Sequence, residues 1–436
     1  MLGGARSGAG DTGSREGMAE RSAERENARI GALVEELGAG LGRLKGGGPK
    51  IGQFLSVVGL DRPPEDDSPL PGARPVGVRA VPFGRVRRVL EQDLGARLGQ
   101  LFDDFDEEPF ALASLGQVHR ARTRGGDDVA VKVQHPRVAE AVEADLRTLG
   151  AAGPILKRLA PGLDAGAVLA ELRERISDEL DYEVEAQHQR RLERAVRGHP
   201  HVRVAHVHTD LTSRRVLVSE YVEGVPGDGI ARLDDAERDR VGEIAFRFFF
   251  GLAWRDGTVA GDPHPDNCIL CPDGRLCLLD FGLLRDLDPD YLGGERDIAR
   301  AVAASDAQRV HDGMSALGYL PDPAAFAPEA LLELLTAAGG WLLTPGFRRL
   351  DPDDVAQTLE LAYPPRSPSF AMMRRLTMPP PTLLLRRVEL QLLSLLGAFR
   401  AGADWGAIAA EHHSSGPATT ALGREDRAFF ERHARR

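Results

Sequence analysis

One pair of short segments limits what this chain can be more than any other feature. The first reads Gly261-Asp262-Pro263-His264-Pro265-Asp266-Asn267. After two apolar runs, Cys268–Cys271 and Leu276–Leu279, flanking the turn Pro272-Asp273-Gly274, the second reads Leu279-Asp280-Phe281-Gly282. Either motif alone arises by chance in many chains. Together, with Asp280 thirteen residues after Asn267 and a strand-turn-strand pattern between them, they bring three hard oxygen donors onto one hairpin. That set suits phosphoryl transfer. Asp262 would orient or deprotonate an attacking hydroxyl, while Asn267 and Asp280 would hold Mg²⁺ against phosphate oxygens. The bland alternative, a polar turn before a strand that ends in a solvated Asp, does not account for the pairing.

Lysine usage adds a second constraint. Of 55 basic residues only Lys45, Lys50, Lys132 and Lys157 are lysines. Lys132 lies in the strand pattern Val129-Ala130-Val131-Lys132, and an ammonium buried without an anion costs several kcal/mol. Phosphate oxygens and a helical glutamate are the partners such a lysine meets in a kinase-type lobe. Spacing does not single out the glutamate: Leu149–Ala152 offers no acid, which leaves Glu143 or the cluster from Glu179 to Glu185. The longer distance to that cluster calls for two inserted helices.

The order of elements fits this chemistry. A Gly/Ser-rich, disordered tail spans 1–28, and helical spacing begins at Arg29. A Pro-rich connector covers 60–85, and a helix follows around Phe83–Leu98. Ser114–Thr123 and Asp128–Gln134 alternate around Arg124-Gly125-Gly126 as a hairpin. Helical patterns at Leu146–Leu159 and Ala165–Leu192, strands at Val202–Val207 and Val216–Val222, and mostly helix beyond Pro289 complete the chain. The expected fold is α+β: two-lobed and protein-kinase-like, with an N-terminal helical extension and an inserted helical pair in the N-lobe. The expected boundaries are 29–105 for the extension, 106–222 for the N-lobe, 223–410 for the C-lobe and 411–436 for a C-terminal tail.

Composition removes several classes. A net charge of −11 without a basic, aromatic-studded stripe argues against nucleic-acid binding. Neither a signal peptide nor an apolar run long enough to span a membrane is expected. Three clustered cysteines suggest a reducing, cytoplasmic setting. Cys268-x-x-Cys271 with Cys277 and His264 invites a zinc reading, but cysteines along two core strands are the commoner outcome. The stripe Phe246, Phe248, Phe249, Phe250, Trp254 reads as core.

At this point the sequence resembles the UbiB/AarF-type atypical protein-kinase-like family (ubiquinone-biosynthesis kinase-like), over about residues 30–400. The motifs are Lys50-Ile51-Gly52-Gln53 (K-x-G-Q), Pro109–Ser114 with Gly116-Gln117-Val118-His119 (an Ala-rich loop), Val129–Pro136, Glu179-Leu180-Asp181-Tyr182 with Glu185-Ala186, and the two catalytic segments. The resemblance implies ATP and Mg²⁺ as cofactors, with Glu185 as the partner of Lys132. It places Lys50 and Gln53 on a helix folded over the cleft, Lys50 facing Glu179 and Asp181. That arrangement favours ATP hydrolysis or small-molecule phosphoryl transfer over protein phosphorylation. Nucleotide contacts would come from Ala111, Ala113, Ser114 and Lys132, with Glu220 and Val222 as the hinge beside adenine. Ala111 and Ala113 lack the freedom of glycine at a phosphate loop, so nucleotide would sit differently. An isoprenoid lipid or quinone precursor and peripheral attachment at the inner face of a membrane are the implied partners. The alternative is a catalytically weak, nucleotide-gated lipid-binding or chaperone-like pseudokinase; a metabolite or antibiotic phosphotransferase comes third. Two positions depart from the family pattern: Ala260 replaces a His, and Asp266 replaces a Gly. A looser catalytic loop and an extra carboxylate beside Asn267 are the expected consequences.

Overall fold

The computed structural model describes residues 80–434, apart from 114, 151–152, 160–163, 165, 167–169, 171–172, 175–176, 261, 363–367 and 415. Lys50, Gln53, Ser114 and the expected N-terminal helices lie outside the described residues.

Helix α1 (Phe83–Asp93) comes first, followed by strands β1 (Phe102–Phe105), β2 (Ala111–Leu112), β3 (Gly116–Thr123) and β4 (Asp128–Gln134). Helices α2 (Val138–Gly150) and Gly153–Leu159 precede α3 (Tyr182–Ala195), β5 (Val202–Val204) and β6 (Val216–Glu220). The first sheet runs β1-β3-β4-β6, with β2 also paired to β3. The hairpin expected between β3 and β4 is present, and Gly126 takes φ +90 at its turn, a conformation glycine tolerates without a Cβ clash. Alternation along β4 sends Val129, Val131 and Val133 into a core shared with Val86, Val89 and Leu90 of α1. Lys132 therefore points to the opposite face, toward α3.

The second lobe is helical. Helix α4 (Asp235–Asp256) is capped by Asp234, whose side chain accepts from the Glu237 amide, and it ends at Gly257 with φ +67. Its Phe246, Phe248, Phe249, Phe250 and Trp254 are buried against the leucines of α5 (Pro380–Phe399). Strands β7 (Val225–Pro226), β8 (Thr258–Ala260), β9 (Cys268–Leu270), β10 (Leu276–Leu278) and β11 (Leu284–Asp286) form small sheets at the lobe junction. One is ordered β5-β10-β9-β7, and the other pairs β8 with β11. Helices α6 (Trp405–His413) and α7 (Ala421–Ala434) close the chain. Among the described residues no helix is long and apolar enough to cross a membrane.

Four expectations on extent change. The boundary at 105/106 cuts through a lobe, because α1 and β1 are packed and paired into the first sheet. The boundary at 410/411 divides α6, and the last segment is a docked helix: His199 meets Asp426 at 3.1 Å, and Arg247 packs where a Cβ on Gly423 would clash. Strand β5 pairs in parallel with β10, so it joins the junction sheet rather than the first one. The helical pattern expected over Ala165–Leu192 breaks at Leu180, and α3 starts anew at Tyr182.

Candidate active site

The start of α3 fixes the site. Asp181 is its N-cap, accepting from the Glu183 amide at 3.0 Å. The turn before it is pinned by Gln134, whose side-chain amide donates to Leu180 O at 2.8 Å, and by the Tyr182 amide donating to Arg214 O at 2.9 Å. Glu185 then falls in the first turn, where the helix dipole favours a carboxylate. Its two oxygens accept from Lys132 Nζ at 2.7 and 2.9 Å. Asp280 Oδ2 lies 3.4 Å from the same nitrogen, while its Oδ1 accepts from the Gly282 amide at 3.0 Å. Burial works against the Lys132 ammonium, but the Asp280 and Glu185 carboxylates outweigh it and hold its pKa well above the ordinary lysine value. Lysine therefore stays charged.

Two more groups crowd this centre. Glu179 lies close by, its Cγ being 3.8 Å from where a Cβ on Gly282 would sit. Lys132 Nζ also stands 5.0 Å from the centroid of the Tyr182 ring, whose buried hydroxyl has no hydrogen-bond partner among the described residues. Gly116 has no room for a side chain there: an added Cβ would strike Val133 O and come within 2.9 Å of Tyr182 Oη. The Ala-rich segment forms the hairpin end above it. Ala111 pairs with Val118, and the Ala113 amide donates to Gly116 O at 2.9 Å.

The Asp262–Asn267 segment ends in a short 3₁₀ turn, Pro265–Asn267, capped by His264, whose Nδ1 accepts from the Asp266 amide at 3.2 Å. Asn267 Nδ2 donates to Asp262 O at 3.1 Å, and the Leu279 amide donates to Asn267 O, tying the loop to the strand end that carries Asp280. The Asp262 carboxylate accepts from Gln391 Nε2 at 2.9 Å. Asp266 lies 3.9 Å from His264 Nδ1 and is 40% exposed.

At the expected hinge, Glu220 does not offer its side chain to a ligand: both of its oxygens take Arg203 Nη2 at 2.5 Å. Its amide bonds to His206 O, and the Tyr221 amide bonds to Asp128 O. Past the sheet, neither backbone group of Val222 is hydrogen-bonded to another backbone group among the described residues, and its side chain packs with Cys271 and Cys277. All three cysteines are free and buried.

Lys132, Glu185, Glu179 and Asp280 are thus brought together, as are Asp262 and Asn267. Asp181 is drawn into capping and lies 3.8 Å from Arg214. Sequence reasoning missed Tyr182 and Gln391. Tyr182 lies inside a motif already singled out, whereas Gln391 shows only as a polar residue in the apolar helix Leu383–Leu396.

The donor set fits a nucleotide that brings its own cation. Asn267 and Asp280 supply two oxygen donors, and Mg²⁺ is usually held by one or two carboxylates plus phosphates and water. Among the described residues no group of three or more His, Cys, Asp or Glu is arranged to hold a metal.

A β-sheet lobe carrying a lysine-glutamate pair, beside a helical lobe whose junction hairpin leads into Asp-Phe-Gly, defines a protein-kinase-like fold. Within that class the chain belongs to the ABC1 atypical kinase-like family, whose domain matches residues 77–314. It is 36% identical over 211 residues to Rv0647c of Mycobacterium tuberculosis, covering 47% of this chain and 43% of that one. It is 28% identical over 307 residues to the mitochondrial atypical kinase COQ8B of Danio rerio, covering 66% and 48%. The chain spans about half the length of the curated relatives it matches. Among solved structures, that of Rv3197 from M. tuberculosis in complex with erythromycin is 30% identical. It covers 90% of this chain and 97% of its own, with a TM-score of 0.63.

Proposed function

We propose that this chain is a Mg²⁺-dependent ATP-binding protein that hydrolyses ATP or transfers its phosphoryl group to a small molecule. The observation that carries the reading is Lys132, held charged between Glu185 and Asp280 at 2.7 and 3.4 Å. That ammonium would bind the α/β-phosphates, and Glu185 fixes its position. Val222 would meet adenine through its backbone, beside Glu220, whose own side chain braces Arg203 and the His206 amide. Asp262 would orient the attacking hydroxyl or water and take up its proton. Mg²⁺, bound with the nucleotide at Asn267 and Asp280, would neutralise charge on the phosphate oxygens. Ala111, Ala113 and Ser114 would close over the phosphates, with Lys50 and Gln53 gating the cleft opposite Glu179 and Asp181.

A small acceptor is supported by the carboxylates gathered round Lys132, which disfavour an acidic peptide, and by the relative solved with erythromycin. A role in isoprenoid-quinone or lipid metabolism, at a cytoplasmic or membrane-surface location, rests on the family. Nucleotide binding and ATP turnover of the wild type against Asp262→Asn and Asp280→Asn test the proposal. Turnover should fall at least 100-fold in Asp262→Asn with binding retained, a loss in the range general-base catalysis supplies, roughly 10²–10⁴. Equal, near-zero rates with intact nucleotide binding would instead favour the nucleotide-gated lipid-binding alternative.

A further inference from the structure

We infer that Gln391 is a positioning residue of the catalytic aspartate, so that the site is completed by a helix of the second lobe that lies beyond the segment matched by the family model. This deepens the ATP-turnover reading and rests on it. The matched domain ends at residue 314, yet Gln391 on α5 reaches back to donate from Nε2 to Asp262 Oδ1 at 2.9 Å. The other half of its amide gains nothing from that placement. Gln391 Oε1 is buried and has no donor among the described residues. A buried, unsatisfied carbonyl is a cost that a leucine, the commonest neighbour on this helix, would not incur. The amide is thus placed for its N–H and not for packing.

The donor is also one of the contacts that orient the aspartate side chain. Asn267 Nδ2 holds the Asp262 backbone through its carbonyl, leaving the carboxylate's direction to other contacts. On the strand before it, Ala260 is buried and offers only a methyl group. With Nε2 on Oδ1, the carboxylate is held in a defined direction for the hydroxyl or water to be deprotonated. Gln391 touches no reacting atom itself.

The full chain is assayed as wild type, Gln391→Leu, Gln391→Asn, Asp262→Asn and the Gln391→Leu/Asp262→Asn double variant. Gln391→Leu should lower kcat at least tenfold with KM for MgATP changed less than twofold and the melting temperature kept or raised. Gln391→Asn, which retains the N–H on a shorter arm, should recover part of the loss. The double variant should be no slower than Asp262→Asn alone, because a misaimed base and a missing base fail at the same step. Unchanged kcat in Gln391→Leu, or losses that multiply in the double variant, would overturn the inference. If Asp262→Asn turns over ATP like the wild type, the catalytic reading falls by itself. The contact is then judged by a urea double-mutant cycle of Gln391→Ala with Asp262→Ala: non-additive midpoints uphold the positioning contact and additive midpoints overturn it.

Discussion

Glu185 takes both hydrogen bonds of a bidentate contact from Lys132, 53 positions earlier in the chain, at 2.7 and 2.9 Å. The pair is partly shielded, with 18% of the lysine and 4% of the glutamate side chain exposed. Removing the glutamate charge leaves Asp280 as the carboxylate 3.4 Å away, so the ammonium is drawn toward Asp280 and off its phosphate position. Glu185→Gln should therefore weaken MgATP binding about 10- to 100-fold, the loss of one charge-assisted bond worth roughly 1.5–3 kcal/mol. Isothermal calorimetry against Asp262→Asn, which should bind normally, checks this.

Asp181 gives a cap-specific prediction. Asp181→Ala removes the acceptor for the Glu183 amide and should cost about 1 kcal/mol of stability, while Asp181→Asn should keep most of it. Urea melts of the two variants separate capping from any charge-based gating. If both lose activity equally but only the alanine is destabilised, the carboxylate charge has a role beyond the cap.

Gly116→Ala should destabilise the first lobe. The added methyl meets Val133 O of the neighbouring strand and the Tyr182 hydroxyl, and relieving it must shift backbone. Overpacking of this kind costs about 1–3 kcal/mol. Thermal melting should show it, with loss of nucleotide binding from the same displacement of the Ala-rich hairpin.

Acid should unfold the second lobe through two histidines. His412 and His413 end α6 beside Phe250, and the His413 ring stands 4.3 Å from that of Trp254. Burial, helped by nearby cations, holds their pKa values down to about 4 and about 3 against an ordinary 6.5. Both are neutral in the folded chain near pH 7, and as pH falls the unfolded chain takes up protons first. Stability is thus full above about pH 6.5 and declines below it, by ~1.4 kcal/mol per pH unit for each histidine, until the folded values are approached. Trp fluorescence in urea at pH 7, 6 and 5 measures the slope, which His413→Leu should reduce.

Much of this was legible in the sequence because its signals were local. The strand pattern around Lys132, the turns at Arg124-Gly125-Gly126 and Pro272-Asp273-Gly274 and the Asp262/Asn267/Asp280 spacing all act over a few residues. The identity of Glu185 as the lysine's partner came only from the family likeness, since helical insertions uncouple sequence distance from spatial distance. The helical pattern over Ala165–Leu192 runs through Asp181, yet an aspartate that offers its side chain to the amide two residues on starts a helix. Gln391 was invisible because its meaning depends on a loop 129 positions away. Glu220 and Arg203 likewise meet only when two strands of different sheets converge.

The anchoring of α3 sets how this protein can be controlled. On one side it is held to the first sheet by Gln134 at Leu180 and by Tyr182 and Ala186 packed with Val207 and Leu217. On the other it is held to the junction by Gln189 donating to Ala205 O at 2.8 Å and by His188 Nδ1 to Phe281 O at 3.0 Å. Swinging α3 outward would break these hydrogen bonds and the Lys132 pair together, on the order of several kcal/mol. The lysine clasp is consequently kept set at rest, and under the proposed function control would fall to whatever enters or covers the cleft.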